Sequence, residues 1–313
     1  MACATHSKQA SPPDRERIRT RRQRLNLDDQ LLGGATIEQV VGGAAVAAMI
    51  AFVAVRVRAL TPSGAIAAFA VGALTFAAGT LGSALILLAF FITSVALSRA
   101  GKKRKRELVD IGKGGPRDAW QVLANGGVAT ACIVVWAYAD HSAVASAWFV
   151  AFAGAYAAAT SDTWGTEIGT LAAKPPRSIL TGKPLATGLS GGVSSAGTAA
   201  EIAGAVLIAV LTPAALLLAL PGTPATLHEL ARLLLPVFAG GFGGALIDSL
   251  LGATLQDRRW CPACQRECEV ALHGCGTPTT RRRGLPWLTN DAVNFAATAT
   301  GAAIAAAIWT TTR

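Results

Sequence analysis

Residues Ser142 to Gly169 read SAVASAWFVAFAGAYAAATSDTWGTEIG. The stretch from 142 to 160 carries no charge and is about long enough to cross the hydrocarbon core of a bilayer; two carboxylates, Asp162 and Glu167, follow it directly. An ionised carboxylate beside hydrocarbon is costly unless a cation, a metal ion or a hydrogen-bond network compensates, so acids in this position mark a candidate site. Asp248 repeats the signal inside another apolar run.

Outward from this stretch, the same composition holds. Of 313 residues, 52% are hydrophobic and only 15% charged, with mean hydropathy +0.45, outside the range of soluble globular domains. Further charge-poor runs lie at 37 to 55, 62 to 98, 119 to 139, 190 to 220, 233 to 255 and after Asp291. The run 62 to 98 is long enough for two passes, broken near Gly79 to Gly82. The expected fold is therefore all-α, a polytopic membrane helical bundle of about eight spans, within a range of about seven to nine, and a re-entrant piece is possible near Pro213 to Pro221. Residues 1–35 read as a disordered basic tail, residues 36–313 as one helical membrane domain, and residues 257–289 as a hydrophilic loop within it. The first 35 residues are charged throughout and show no secretory signal.

Net charge is +10, and its placement is informative. Eight Lys/Arg lie between Arg99 and Arg117, three between Lys174 and Lys183 and six between Arg258 and Arg283, with Arg56 and Arg58 in addition. With eight spans all four regions fall on one side, which the positive-inside rule makes cytoplasmic. The arm from Arg15 to Arg24 then lies opposite, against the rule. Without interleaved aromatic residues that arm does not read as a nucleic-acid binder, and anionic headgroups are its expected neighbours.

Small residues form stripes at helical spacing: Gly241, Gly244, Asp248 and Gly252; Ser190, Ser194, Gly197, Glu201 and Gly204; Asn290, Asn294 and Thr298. Such stripes are ordinarily packing seams, and the acids and amides on them shift the balance toward a site. Asp162 and Glu167 are separated by roughly 140° around an ideal helix, so both reach one site only if the helix ends or unwinds near Gly165. At the basic edge Asp162, Glu167, Asp248 and Asn290 fall with Arg117, Lys174, Arg177, Lys183 and the run Thr187 to Ser194, TGLSGGVS. Carboxylates and amides are the ligand set of Mg²⁺, while Lys, Arg and glycine amides at a helix start bind phosphate. That combination reads as phosphoryl chemistry. The glycine run lacks the GxxxxGK[ST] pattern, and Lys174 and Lys183 serve equally well as headgroup anchors.

Four blocks, Ser161–Gly169 (SDTWGTEIG), Thr187–Thr198 (TGLSGGVSSAGT), Gly240–Gln256 (GGFGGALIDSLLGATLQ) and Asn290–Asn294 (NDAVN), closely resemble the integral-membrane family that contains transmembrane protein nineteen and the phytyl-phosphate kinase of chloroplasts and cyanobacteria. Arg117, Gln121, Asn125 and Gly126 look like a further block, and the resemblance spans residues 40 to 310. It implies a helical membrane protein whose characterised members use a nucleoside triphosphate, CTP favoured, to convert an isoprenoid monophosphate to its diphosphate. The layout is also similar, more distantly, to the CTP-dependent polyprenol kinases.

Carried onto this sequence, the resemblance implies that Asp162, Glu167 and Asp248 hold Mg²⁺ against the triphosphate. Arg117, Arg177, Lys183, Ser190, Gly191, Gly192 and Ser194 then bind substrate and nucleotide phosphates, and Asn125, Asn290 and Asn294 orient the nucleotide or complete the metal shell. Glu201 is either a supporting acid or a buried neutral carboxyl. The expected location is the bacterial inner membrane, with the site facing the cytoplasm. The rival reading is an ion-coupled transporter or lipid-handling protein without catalysis, which places its acids near the bilayer midplane rather than clustered at one edge. An inert scaffold leaves the aligned acids unexplained.

In the loop, Cys261-x-x-Cys264 and His273-x-Cys275 have the spacing of a zinc ribbon or knuckle, with Cys268 between them as a spare ligand. Four protein ligands leave no open position, so the expected ion is a structural Zn²⁺. Disulfides are the alternative, disfavoured by a cytoplasmic location. Cys3 and Cys132 read as ordinary thiols.

Overall fold

The computed structural model describes residues 36–101, 105, 115–139, 143–220 and 226–312. The basic tail of residues 1–35, with the Arg15 to Arg24 arm and Cys3, lies outside the described residues. Among the described residues eight helices make up the bundle: α1 (Ile37–Arg56), α2 (Pro62–Arg99), α3 (Ala119–Tyr138), α4 (Ala143–Gly169), α5 (Ser195–Ala219), α6 (Leu227–Ala231), α7 (Leu234–Thr254) and α8 (Asn290–Thr311). Their starts follow the local sequence. Thr36 with Gln39, Asp118 with Gln121 and Thr226 with Glu229 form capping boxes, while Thr61, Ser194 and Thr289 each accept from an amide of the first turn.

Although α2 is one run of 38 helical residues, it doubles back on itself. Ser83 Oγ donates to the carbonyl of Thr75 at 2.6 Å, whereas in a straight helix the two would stand about 12 Å apart. Arg99, at the far end of the helix, donates to the carbonyl of Val57 at 3.3 Å, beside its start. The expected break at Gly79 to Gly82 is thus a tight helical hairpin whose limbs, Pro62–Gly79 and Leu81–Arg99, are each long and apolar enough to cross a membrane.

Among the described residues seven segments meet that criterion: α1, the two limbs of α2, α3, α5, Leu227–Thr254 (which contains α6 and α7) and α8. A further long helix, α4, is apolar over its first two thirds and polar over its C-terminal third. It has no need of a lipid-compatible surface. From Phe149 to Ser161 its residues are buried almost without interruption, enclosed by α2, α3, α5, α7 and α8. Close approach is possible because the contacts are small: a Cβ on Gly244 would stand 2.5 Å from Ala158 Cβ, and one on Gly301 2.7 Å from the same atom. The re-entrant piece considered at Pro213 to Pro221 is not formed through Ala219, since α5 continues through Pro213 to that residue. Neighbouring helices supply the packing that lets a span tolerate an internal proline.

The helix ends sort by charge. The ends of α1 and α4, both ends of α2 and the starts of α3, α5 and α8 gather at one face, tied by Thr61 N–H to the Arg117 carbonyl at 3.0 Å and Asp257 N–H to the Leu288 carbonyl at 3.0 Å. The described Lys and Arg side chains belong to this face or the loops that leave it, except Arg232, which lies at the opposite end beside Trp309. Two small sheets also build this face. The first pairs β1 (Arg177–Ser178) with β2 (Gly192–Val193); the second, β3 (Arg258–Cys261), β4 (Arg266–Cys268) and β5 (Thr280–Arg283) in the order β4-β3-β5, forms the core of the hydrophilic loop.

Candidate functional site

Three carboxylates from three helices converge at one depth. At about 1.5 Å of rise per residue, Asp162 lies about 10 Å inside the end of α4, Asp248 about 9 Å inside the end of α7, and Glu201 about 9 Å inside the start of α5. Their charges act on one another: Asp162 on Asp248, and Glu201 on both. Ser161 Oγ donates to the Glu201 carbonyl at 2.7 Å, which fixes α4 against α5 at this level. Among the described residues, none of the three side chains makes a hydrogen bond or ion pair, and Asp248 Oδ2 is buried with no partner. A group of buried ionised acids is unfavourable unless protons or a cation neutralise it.

The expected unwinding at Gly165 does not occur; α4 continues to Gly169. The glycine instead makes room for a neighbour, since a Cβ there would stand 2.5 Å from Cγ of Glu201. On an unbroken helix Glu167 faces elsewhere: its Oε2 accepts from Lys105 Nζ at 2.5 Å, though its charge still reaches Asp162 and Arg117. Lys105 also donates to the Leu97 carbonyl at 2.7 Å.

The remaining candidates are unevenly placed. Ser190 and Gly191 pack on the end of α7, where Gly191, at φ +81°, presses so closely that a Cβ would stand 2.6 Å from Ala253 Cα. Gly192 lies against Pro176, and Ser194 caps α5 through the Gly197 amide. Arg177 and Lys183 are exposed on the hairpin between β1 and β2, with Arg177 donating to the Gly182 carbonyl at 2.8 Å; neither is brought to the acids. Lys174 is exposed as well. Asn125 donates to the Gln121 carbonyl at 2.9 Å, and Gln121 is occupied by its capping box. Asn294 lies one turn inside α8 on the stripe whose next member, Thr298, donates to the Ala124 carbonyl at 3.0 Å; Asn290, at the helix start, is exposed.

Glu269, in the loop just after β4, escaped the sequence reading. Its carboxylate accepts from Ser190 N–H, Ser190 Oγ and Gln256 Nε2, each at 2.8 Å, and stands 3.9 Å from Arg258 Nη2. Its charge acts on Asp248. Burial pushes the Glu269 carboxyl above its ordinary 4.5, while Ser190, Arg258 and Gln256 pull it back. Its one local signal is that it opens the apolar triplet Val270-Ala271-Leu272 in an otherwise polar loop. The loop's other basic residues are largely spent on its own fold: Arg259 and Arg281 pair with Asp257, and Arg283 donates to the Ala253 carbonyl at the end of α7.

Cys261, Cys264, His273 and Cys275 do converge, with one ligand atom from each within 4.8 Å of the others, an arrangement compatible with zinc. Cys268 is excluded; its thiol is buried and directed at the Val270 carbonyl at 3.8 Å.

An open groove runs between α1, both limbs of α2, α3 and α4. Ala47, Ala51, Val71, Leu88, Phe90 and Tyr156 give it an apolar wall, and Arg117, Gln121 and Asn125 are its polar residues toward the basic face. The Arg117 guanidinium makes no hydrogen bond or ion pair among the described residues, and burial lowers its pKa while Glu167 opposes the shift.

A cluster of unpartnered acids inside a glycine-packed helical bundle, under a basic face, defines a polytopic membrane protein with a polar site at one edge of its spans. The chain belongs to the integral membrane protein DUF92 family, whose model matches residues 45–302. It is similar to Protein PGR of Arabidopsis thaliana, 34% identical over 264 residues covering 80% of this chain and 89% of that one. An uncharacterized membrane protein of Synechocystis sp. is 29% identical over 255 residues, covering 80% of this chain and 82% of its own, and one of Methanocaldococcus jannaschii is 31% identical over 173 residues, covering 55% and 64%. No solved structure matches the chain.

Proposed function

We propose that the protein is a membrane phosphotransferase that moves the terminal phosphoryl group of a nucleoside triphosphate, CTP favoured, onto an isoprenoid monophosphate. The observation that carries this reading is the set Asp162, Glu201 and Asp248, gathered at one edge with no cationic partner among the described residues. The donor set fits Mg²⁺, and the orphaned Asp248 Oδ2 is the atom best suited to it. When bound, Mg²⁺ neutralises the charge of the triphosphate and of the transferring group.

The protein's own residues supply position and charge. Lys105, held by Glu167, and Arg117 stand on the basic side of the acids, where they offset phosphate charge. Ser190 and the backbone of Gly191 and Gly192 are held against the end of α7, with Asn294 at the level of the acids. The groove between α1 and α3 fits a hydrocarbon tail, and the Arg117 guanidinium, unpaired among the described residues, fits the acceptor phosphate above it. An oxygen of that phosphate attacks the terminal phosphorus, the bond to the bridging oxygen breaks, and the nucleoside diphosphate leaves. The acceptor oxygen is already ionised at neutral pH, so no separate base is required. The basic face is the cytoplasmic face by the positive-inside rule, and the membrane is the inner membrane of a bacterium.

The test is incubation of the purified protein with terminally labelled CTP or ATP, Mg²⁺ and prenyl monophosphates of several lengths. Labelled prenyl diphosphate, lost in Asp248→Asn, supports the reading. Absence of transfer to every acceptor, from protein that remains folded, overturns it.

A further inference from the structure

We propose that Cys261, Cys264, His273 and Cys275 bind one Zn²⁺, and that this ion keeps Glu269 seated on Ser190 at the rim of the acidic site. The proposal stands apart from the phosphotransferase reading, because it concerns what holds the site together and not the reaction carried out there.

The distances separate zinc from a disulfide. Cys261 Sγ and Cys275 Sγ are 3.7 Å apart, far beyond the about 2.05 Å of an S–S bond. Two thiolates at about 2.3 Å from a tetrahedral Zn²⁺ are separated by about 3.8 Å, close to what is seen. His273 turns Nδ1 toward the sulfurs, 3.2 Å from Cys275 and 3.6 Å from Cys264, so one of the two ring nitrogens able to ligate a metal faces the site. The Cys264 amide lies 3.5 Å from Cys261 Sγ, so a backbone N–H faces a sulfur that carries negative charge when it ligates a metal.

Beyond its strand ladder and the ion pairs of Arg258, Arg259 and Arg281, the loop has little apolar core to hold it. Its strands are 4, 3 and 4 residues long, and its buried side chains include Cys261, Cys268, His273 and Leu288, too few for a core of its own. Yet it must hold Glu269 in a demanding position. That side chain is 5% exposed, receives three hydrogen bonds and reaches across 79 residues to Ser190. Glu269 lies on the segment between Cys264 and His273, so an ion that fixes both fixes the path of the chain through position 269. Ser190 in turn packs on Gly252, one turn beyond Asp248 on α7. The chain of contacts therefore runs from the four ligands through Glu269 and Ser190 to the helix that carries Asp248. Glu269 is a positioning residue in this account, and the metal acts through it.

The full chain, purified in detergent without added metal or chelator, tests both halves. Elemental analysis is expected to give one zinc per chain, retained in Cys268→Ser and lost in Cys264→Ser. Stripping zinc from the folded wild type with a chelator avoids any variant that fails to fold, and hydrogen exchange then reads the Ser190 amide, the donor to Glu269. Exchange at residues 189–191 is expected to rise at least tenfold on stripping, to return with added Zn²⁺, and to be fast with or without zinc in Glu269→Ala. Less than half a zinc per chain, or exchange at Ser190 unchanged after stripping, overturns the proposal. Neither readout depends on turnover, so failure here is distinguishable from failure of the phosphotransferase reading.

Discussion

Glu201 lies directly over Gly165: a Cβ at position 165 would stand 2.5 Å from Cγ of Glu201 and 2.8 Å from its Oε1. The absence of one carbon on α4 thus lets a carboxylate of α5 enter the level occupied by Asp162. Gly165→Ala forces that carboxylate aside. The expected cost in stability is about 1 to 3 kcal/mol, the usual range for overpacking, with a fall in turnover of at least tenfold. Thermal unfolding in detergent and the transfer assay check the two effects separately.

Glu167 and Lys105 form an ion pair whose side chains are 20% and 15% exposed. Removing one partner of a fully buried pair costs about 3 to 5 kcal/mol, and the partial exposure here reduces the expected loss for Glu167→Gln to about 1 to 3 kcal/mol. The double variant Lys105→Gln with Glu167→Gln is expected to recover part of it. A double-mutant cycle on the unfolding temperature measures the coupling, and additive effects would show that the pair contributes nothing.

Arg117 is expected to act on the acceptor. A hydrogen bond to a charged group contributes about 1.5 to 3 kcal/mol, so Arg117→Gln should raise KM for a prenyl monophosphate by roughly ten- to a hundredfold with a smaller effect on KM for the nucleotide. Steady-state kinetics with each substrate varied in turn decides this.

Glu269 gives a pH dependence with a defined sign. Burial raises its carboxyl above the ordinary 4.5, so between 4.5 and the folded value the folded protein holds this proton more tightly than the unfolded chain does. Its contribution to stability is therefore full below 4.5 and declines as pH rises through the folded value. Glu269→Gln, which cannot titrate, is expected to flatten that slope. Unfolding temperature measured against pH for both proteins is the check.

The spans were legible because lipid imposes a hydropathy pattern, and the common face of the basic loops followed from counting crossings. The hairpin at Gly79 to Gly82 was legible for a related reason: a charge-poor helical run of 38 residues exceeds one bilayer crossing, and glycine marks where the chain turns. Gly165 misled because glycine serves both unwinding and close approach, and only the partner helix, with Glu201 on it, distinguishes the two. Glu269 and Lys105 were not legible. Their partners lie 79 and 62 residues away, and no local pattern encodes a contact at that separation. Arg177 and Lys183 carry the charge a phosphate site needs, yet the short β1–β2 hairpin holds them out toward solvent.

The central claim is that acids from separate helices hold one divalent cation. Electron paramagnetic resonance with Mn²⁺ as the probe measures this on the full-length protein without reference to any substrate. The account predicts one bound Mn²⁺ per chain, displaced by Mg²⁺, with affinity at least tenfold weaker in both Asp162→Asn and Asp248→Asn. Equal Mn²⁺ affinity in the wild type and both variants would contradict it.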